Sequence, residues 1–162
     1  MVNLTGTDEA LAARVVRETA EAIVVSDPDG VIRLWNHGAE RVFGYTAAEA
    51  LGQSLDLIIP EKLRARHWEG YGKTMATGQT RYADALLKVP ATHKDGRRMS
   101  IEFSVALLRS GSDDGSGDGS GDGSGGPVTG IAAVIRDVTE RWNEERALRR
   151  RLAELESGRS GG

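Results

Sequence analysis

Histidine has the widest chemical range of any side chain near neutral pH, and this chain of 162 residues contains three histidines. No two of them are four residues apart, so none forms the helical pair that binds a metal ion. His37 begins a predicted helix and His93 lies in a predicted turn, and solvent exposure accounts for both. His67, inside a longer predicted helix, is therefore the strongest candidate for a functional histidine.

The other chemistry-bearing residue types form no recognisable catalytic set. The absence of cysteine excludes disulfides, thiolate metal sites and cysteine nucleophiles. The Gly-rich residues 115–126 lack the Lys-Ser or Lys-Thr ending of a phosphate-binding loop. Asp114, Asp118 and Asp122 repeat every four residues, not every nine as in calcium-binding β-rolls, and no glutamate completes an EF-hand. We therefore expect that the protein is not an enzyme.

Composition and charge are those of an ordinary globular domain. Hydrophobic residues make up 39% of the chain and charged residues 28%, and the net charge is −3. The late arginines, Arg146 and 149–151, alternate with glutamates, which predicts a solvated helix face rather than a nucleic-acid or membrane surface. No apolar run reaches the roughly 20 residues of a membrane span, and residues 1–8 lack the features of a signal peptide. We expect a cytoplasmic protein with neither nucleic-acid nor membrane partners.

Hydrophobic periodicity and turn residues predict the elements that position these side chains. Helices are predicted over residues 7–22, 36–43, 46–51, 61–77 and about 138–156, and strands over 23–27, 31–35, 82–89, 99–108 and 128–135. Alternation in the second strand predicts Val31, Arg33 and Trp35 on one face and Ile32 and Leu34 on the other. Tight turns at Asp29-Gly30 and Lys94-Asp95-Gly96 produce hairpins on both sides of the short helices. This order indicates an α+β fold, an antiparallel sheet with helices on one face.

The order of elements and the residues at their boundaries resemble the PAS family. The matching motifs are Asp27-Pro28-Asp29-Gly30, Asn36, Phe43-Gly44-Tyr45-Thr46, Glu49-Ala50-Leu51-Gly52, Lys94-Asp95-Gly96 and Arg136-Asp137-Val138-Thr139-Glu140. The resemblance covers about residues 12–140 and implies a sensor domain whose five-stranded antiparallel sheet forms a ligand pocket under short helices. Residues 1–11 are then an N-terminal flank, 110–126 a flexible Gly/Ser/Asp loop, and 141–162 a signalling helix with a disordered tail.

The resemblance implies a function in signal transduction. PAS domains bind small ligands, sense redox or gas stimuli, dimerise, and pass a signal through flanking helices to a downstream signalling protein, in transcriptional or two-component regulation. Asp137, Val138 and Thr139 are similar to the Asp-Ile-Thr junction of the family, and the same residues also suit the start of a helix. The sequence leaves open a second function, a ligand-free PAS module that only dimerises or docks a partner.

The segment around His67 is similar to FixL-type haem PAS domains, from Pro60 to Gly78. The corresponding helix of that group carries the proximal haem histidine at the position of His67, which implies His67 as a ligand to haem iron. The implied lining of the pocket is apolar and aromatic and consists of Tyr82, Leu87, Phe103 and Val105. The distal arginine of the group falls on Leu87, which implies weak oxygen binding.

Other ligands, and no ligand, remain alternatives. His67 can instead be a surface or pocket-rim histidine beside Arg64 and Arg66, which is the interpretation that we favour from the sequence. Trp35 and Trp68 could stack on a flavin, although packing in the core is the interpretation that we favour. Photosensory PAS domains that form a covalent bond to cysteine are excluded, because the chain has no cysteine.

Leucine spacing predicts an interface on the exit helix. Leu148, Leu152 and Leu155 are separated by four and three residues, as in a coiled-coil seam. They either fold back on the chain's own sheet or meet their copies in a parallel homodimer. We favour the homodimer, because an isolated helix of this length is marginal in water and needs a packing partner.

Overall fold

The computed structural model describes residues 6–80, 85–110 and 126–159 of the chain. In order, the elements are α1 (Gly6–Glu18), β1 (Ala22–Ser26), β2 (Ile32–Trp35), α2 (His37–Phe43), α3 (Ala47–Ala50), a 3₁₀ turn (Leu55–Leu57), α4 (Glu61–Thr77), β3 (Leu87–Thr92), β4 (Arg98–Arg109), β5 (Val128–Asp137) and α5 (Thr139–Arg159). Most of the predicted loop at 110–126 lies outside the described residues, whereas α5 continues beyond its predicted end at about residue 156 to Arg159. None of the helices in the described ranges is both long enough and apolar enough to cross a membrane.

The strands form one antiparallel sheet in the order β2-β1-β5-β4-β3. This arrangement confirms the predicted α+β class with a five-stranded sheet. The core lies on one face of the sheet, the inner face, where strand residues pack with α2 and α3. Val24, Met99 and Ile135 are among the strand residues that are almost fully buried there. The predicted alternation in β4 is also confirmed, because Ile101 and Phe103 share the inner face while Glu102 points to the outer face.

The turn between β1 and β2 forms around the carboxylate of Asp27. Its Oδ1 accepts hydrogen bonds from the backbone N–H groups of Asp29 and Val31, both at 3.0 Å. The strand pairing then shifts between Val25 and Ser26. Because of this irregularity, Ile32 and Trp35 are both buried, at 0% and 5% exposure, and the predicted simple alternation of β2 is wrong.

Asn36 connects three elements through its buried side-chain amide. The oxygen Oδ1 accepts from the backbone N–H of Ile23 at 2.8 Å and of Ala39 at 2.9 Å, and the second bond caps the N-terminus of α2. The nitrogen Nδ2 donates to the carbonyls of Val16 and Glu21 at 2.8 and 2.9 Å. All four hydrogen-bonding positions of one amide are therefore used, which fixes the end of α1 and the start of β1 against α2.

The turns around the short helices follow the predicted capping residues, with one correction. Thr46 and Glu49 form the predicted capping box at the start of α3. Gly44 ends α2 with a φ of 82°, and a Cβ at this position would lie 2.7 Å from a ring carbon of His93. The prediction that His93 is solvent-exposed is wrong, because only 15% of its side chain is exposed against this glycine.

Two predicted element boundaries also differ from the structure. Helix α1 ends at Glu18 rather than at residue 22, because Ala22 pairs with Ile135 in the sheet. Strand β3 begins at Leu87 and continues through Pro90 to Thr92, whereas residues 82–89 were predicted. Proline is tolerated at this position because β3 lies at the edge of the sheet, where a missing N–H leaves no strand unpaired.

Candidate functional site

The imidazole of His67 lies on the inward side of α4 with a buried nitrogen. Its Nδ1 is inaccessible to solvent and has no hydrogen-bond partner among the described residues. Burial lowers the pKa of His67 below the usual value for histidine, and the Asp56 carboxylate opposes this shift only in part. His67 is therefore a neutral imidazole near pH 7, the form that can coordinate a metal ion or accept a proton from a ligand.

Aromatic neighbours on the same helix fix the position of His67. The ring centroid of His67 lies 4.8 Å from that of Trp68 and 5.6 Å from that of Tyr71. The indole N–H of Trp68 donates to the carboxylate of Asp56 at 2.8 Å, and its ring covers Gly30, where a Cβ would lie 2.1 Å from the ring. The Trp68 ring thus needs a glycine at the β1–β2 turn, and it holds the His67 face of α4 to that turn.

Tyr71 provides the second attachment of α4 to the sheet. Its hydroxyl donates to the backbone carbonyl of Asp27 and is 2.9 Å from the hydroxyl of Ser26, which is 3% exposed. Burial raises the pKa of the Tyr71 hydroxyl, so it stays protonated as a donor at neutral pH. Helix α4 is therefore attached to the end of β1 by side chains one turn beyond His67.

Three of the predicted pocket residues lie together on the inner face of the sheet. Leu87 of β3 is directly opposite Phe103 of β4, and Val105 is two residues further along the same face. All three are only half-buried, whereas Met99 and Ile101 on the same face are 1% and 5% exposed. The inner face is thus closed at one end and incompletely covered at the end that carries the predicted lining.

The structure does not bring every predicted pocket residue together. Tyr82 lies outside the described residues. The ring contacts that the structure gives for His67 are with its helix neighbours Trp68 and Tyr71, not with Leu87, Phe103 or Val105. A ligand that contacts His67 and the sheet together would have to lie between these two groups.

The tryptophans considered for flavin stacking are both engaged in the fold. Trp35 is 5% exposed, donates its indole N–H to the Tyr45 carbonyl at 3.0 Å, and packs 5.4 Å from the Phe43 ring. Trp68 is held between Gly30 and Asp56 as described above. These contacts are those expected of packing residues.

The junction between β5 and α5 is built from the predicted triplet and a neighbouring strand. Oδ1 of Asp137 accepts from the backbone N–H of Thr139 at 2.9 Å and so caps the helix. The Thr139 hydroxyl accepts from the backbone N–H of Ser100 at 3.0 Å, and the N–H of Val138 donates to the Ser100 carbonyl at 2.9 Å. The first turn of α5 is therefore joined to β4 as well as to the strand that precedes it.

An ion pair within the first turn of α5 reinforces this junction. Arg141 donates to the Glu102 carboxylate at 2.8 Å, and the Glu102 side chain is only 10% exposed. Sequence reasoning found the junction triplet but missed Ser100, Glu102 and Arg141. Glu102 and Arg141 are 39 residues apart in the sequence. Their ion pair cannot be predicted until the register of the sheet is known.

Comparison with protein families decides the identity of the domain. The family model of the PAS fold matches residues 11–117. The chain belongs to the PAS family. The motifs in the β1–β2 turn, around the short helices and at the second hairpin lie within the matched segment, so the resemblance that they indicated is confirmed.

Relatives of this PAS domain include sensor proteins. It is 27% identical over 107 residues to the sensor protein FixL of Bradyrhizobium diazoefficiens, covering 66% of this chain and 21% of FixL. It is 27% identical over 85 residues to the oxygen sensor protein DosP of Escherichia coli, covering 52% of this chain and 10% of DosP. The chain therefore spans only about a fifth or less of the length of these curated relatives.

A solved structure shares the PAS fold over nearly the whole chain. An RNA-binding light-oxygen-voltage receptor superposes with a TM-score of 0.71 at 23% identity, covering 94% of this PAS domain and 39% of that chain. At this level of identity, the similarity establishes the fold.

Proposed function

We propose that this PAS domain is a sensor that binds a small ligand between α4 and the incompletely covered end of the inner sheet face. The observation that carries the proposal is the buried Nδ1 of His67, which has no partner within the described ranges, because a buried polar atom without a partner is costly unless a ligand or water satisfies it. The half-buried side chains of Leu87, Phe103 and Val105 supply apolar contact. The proposed role is binding and signalling rather than catalysis.

Haem is the leading candidate for the ligand. The residues present fit it in two respects: His67 is a neutral imidazole, the form that coordinates iron, and the residues at the incompletely covered end of the inner sheet face are apolar. Similarity to an oxygen sensor protein and to FixL supports the same choice. When bound, haem would supply an iron that takes up diatomic gases. In this chain His67 would hold the iron, while Leu87, Phe103 and Val105 would exclude water from the ring.

A haemin titration tests His67 as the ligand. We expect wild-type protein to produce a Soret band typical of a histidine-bound haem and His67→Ala to shift that band or weaken binding by at least about tenfold. His37→Ala is the matched control, because His37 is exposed and contacts Glu18 on the surface, and its titration should equal that of the wild type. Superimposable spectra for His67→Ala and wild type would remove His67 from the site.

We further propose that the bound state passes through Asp137, Val138 and Thr139 to α5, and from there to a downstream signalling protein in transcriptional or two-component regulation. The contacts of the junction with Ser100 support this path, because β4 carries both Ser100 and the pocket residues Phe103 and Val105. A change in the position of β4 would therefore alter both ends of the path.

A second function, that of a ligand-free PAS module which dimerises or docks a partner, is supported by the exposed leucines of α5. Leu148, Leu152 and Leu155 are 65%, 58% and 67% exposed, so they do not pack on the sheet of the same chain. Their spacing places them along one side of the helix, and burial against the same leucines of a second copy would remove this apolar surface from water. We propose a parallel homodimer that meets along this seam.

Light scattering measures whether the protein is a monomer or the proposed homodimer. We expect a dimer for the wild type at tens of micromolar and a monomer for Leu148→Glu/Leu152→Glu, because two carboxylates per helix would face each other in the seam. Leu11→Glu/Val15→Glu is the matched control, since these α1 residues are also exposed and also four apart. A monomeric wild type contradicts the proposal, as does a seam variant that dimerises as well as the control.

A further inference from the structure

A groove of about 590 Å³ lies between the outer face of β3 and β4 and the first turns of α5. Its lining includes none of His67, Leu87, Phe103 and Val105, the residues of the proposed sensor site. Three basic side chains line it, Lys88 from β3, Arg98 from β4 and Arg146 from α5, and the described residues that line it include no carboxylate. A concentration of one sign of charge in a groove attracts ligands of the opposite sign.

These charges are not neutralised within the described part of the fold, although the guanidinium of Arg146 lies over the ring of Trp142. No ion pair joins Lys88, Arg98 or Arg146 to a carboxylate in the described part of the chain, whereas Arg97, Lys94 and Arg136 each contact one. Glu102 stands opposite Lys88 in the strand register, but Arg141 already holds its carboxylate at 2.8 Å.

The other side of α5 has the opposite charge. A second groove there, of about 540 Å³, contains Asp137, Glu140 and Glu144 together with Arg97. An anion would be repelled on that side and attracted on the side of Lys88 and Arg98. The helix thus separates an acidic surface from a basic one, and only the basic one is suited to an anionic ligand.

The uncharged residues that line the basic groove indicate which class of anionic ligand it suits. Trp142 is 40% exposed and lies under the guanidinium of Arg146 at 4.9 Å, so an aromatic surface adjoins the cations. Asn143 and Ser100 add an amide and a hydroxyl that can contact a sugar or a phosphate. Lysine and arginine bind phosphate groups through charge-assisted hydrogen bonds, and a planar base stacks on aromatic rings. The volume suits a ligand of nucleotide size.

We propose that this groove binds a nucleotide, with its phosphates on Lys88, Arg98 and Arg146 and its base against Trp142. The three cations come from two strands and from the exit helix. A ligand bound to all three would therefore hold the first turns of α5 against the sheet, independently of the ligand on the inner face.

Calorimetry with magnesium-free ATP, pyrophosphate and adenosine tests the assignment. We expect ATP to bind more tightly than pyrophosphate, adenosine to bind least, and added salt to weaken ATP binding. Lys88→Gln/Arg98→Gln should weaken ATP binding by at least about tenfold. The control Arg149→Gln/Arg150→Gln removes the same charge from exposed residues of α5 outside the groove and should bind ATP like the wild type.

Tryptophan fluorescence provides a second readout at the site. ATP should change the emission of the wild type, and Trp142→Phe should remove that change. Absence of ATP binding up to about 5 mM would overturn the proposal, as would equal ATP affinities of the groove variant and the control. Binding of a glutamate hexapeptide without binding of ATP would also overturn it, because the groove would then accept an acidic peptide and not a nucleotide.

Discussion

Replacement of Asn36 tests whether one amide holds three elements of the PAS fold together. Asn36→Ala removes the cap of α2 and leaves the N–H of Ile23 and the carbonyls of Val16 and Glu21 without this partner. Asn36 is 3% exposed, so water does not reach these groups easily. We expect a large loss of stability without a change in the identity of the fold.

The magnitude follows from the separate hydrogen bonds. Loss of an N-cap costs about 1 kcal/mol, and each buried group left unsatisfied costs about 1–3 kcal/mol. Local relaxation will satisfy some of the three remaining groups, so the expected total is about 3–4 kcal/mol. This is a large fraction of the roughly 5–15 kcal/mol that stabilises a typical domain, and it corresponds to a fall in Tm of about 10 °C.

Urea unfolding of the wild type and three variants measures the effect. Thr46→Ala is the control, because Thr46 caps α3 at an exposed position and its loss should cost only about 1 kcal/mol. Asn36→Asp keeps the acceptor oxygen but turns a second oxygen towards the carbonyls of Val16 and Glu21. Its carboxyl pKa should therefore rise on folding, so this variant should gain stability relative to wild type as the pH falls from 7 to 5. If Asn36→Ala loses no more stability than Thr46→Ala, the amide does not connect the three elements.

Three further predictions concern other parts of the domain. Gly44→Ala should destabilise the protein more than Gly52→Ala in urea unfolding, because both glycines have φ near 80° but only at Gly44 would the new methyl group meet another side chain, at 2.7 Å. Wild-type stability should fall as the pH drops below about 6.5, since unfolded His67 takes up a proton more readily than the buried folded form, and this slope should be smaller in His67→Gln. Replacement of residues 111–125 by a two-residue turn should leave stability equal or raised by about 1 kcal/mol, because loop-closure entropy changes slowly with length; loss of cooperative unfolding would contradict this expectation.

Sequence patterns predicted the elements that depend on local chemistry. The capping box at Thr46, the turn at Gly30 and the alternation of β4 each rely on residues within a few positions of one another, and the structure confirms them. The bulge beside Val25 and the early end of α1 were missed because they depend on pairing with distant strands. The hydrophobic periodicity of a segment does not show which distant strand will form hydrogen bonds with its backbone.

The candidate site likewise combines a feature that the sequence predicted with features that depend on distant residues. His67 was selected from the sequence, but its missing partner and its lowered pKa come from the packing of Trp68 and Tyr71 around it. The attachment of Tyr71 to Ser26 joins residues 45 positions apart. Such contacts follow from the angle at which α4 meets the sheet, and no spacing rule along the chain encodes that angle.

Among the residues that the structure describes, those that join α5 to the domain lie at the beginning of the helix. The hydrogen bonds of Thr139 and the ion pair of Arg141 lie in its first turn, while the following residues up to Arg159 are exposed along the helix. A rigid helix of 21 residues is about 30 Å long, so a tilt of about 5° at the junction moves its far end by nearly 3 Å. Displacements at β4 too small to disturb the core are therefore amplified along α5, and the same tilt moves Leu148 by about 1 Å and Leu155 by about 2 Å.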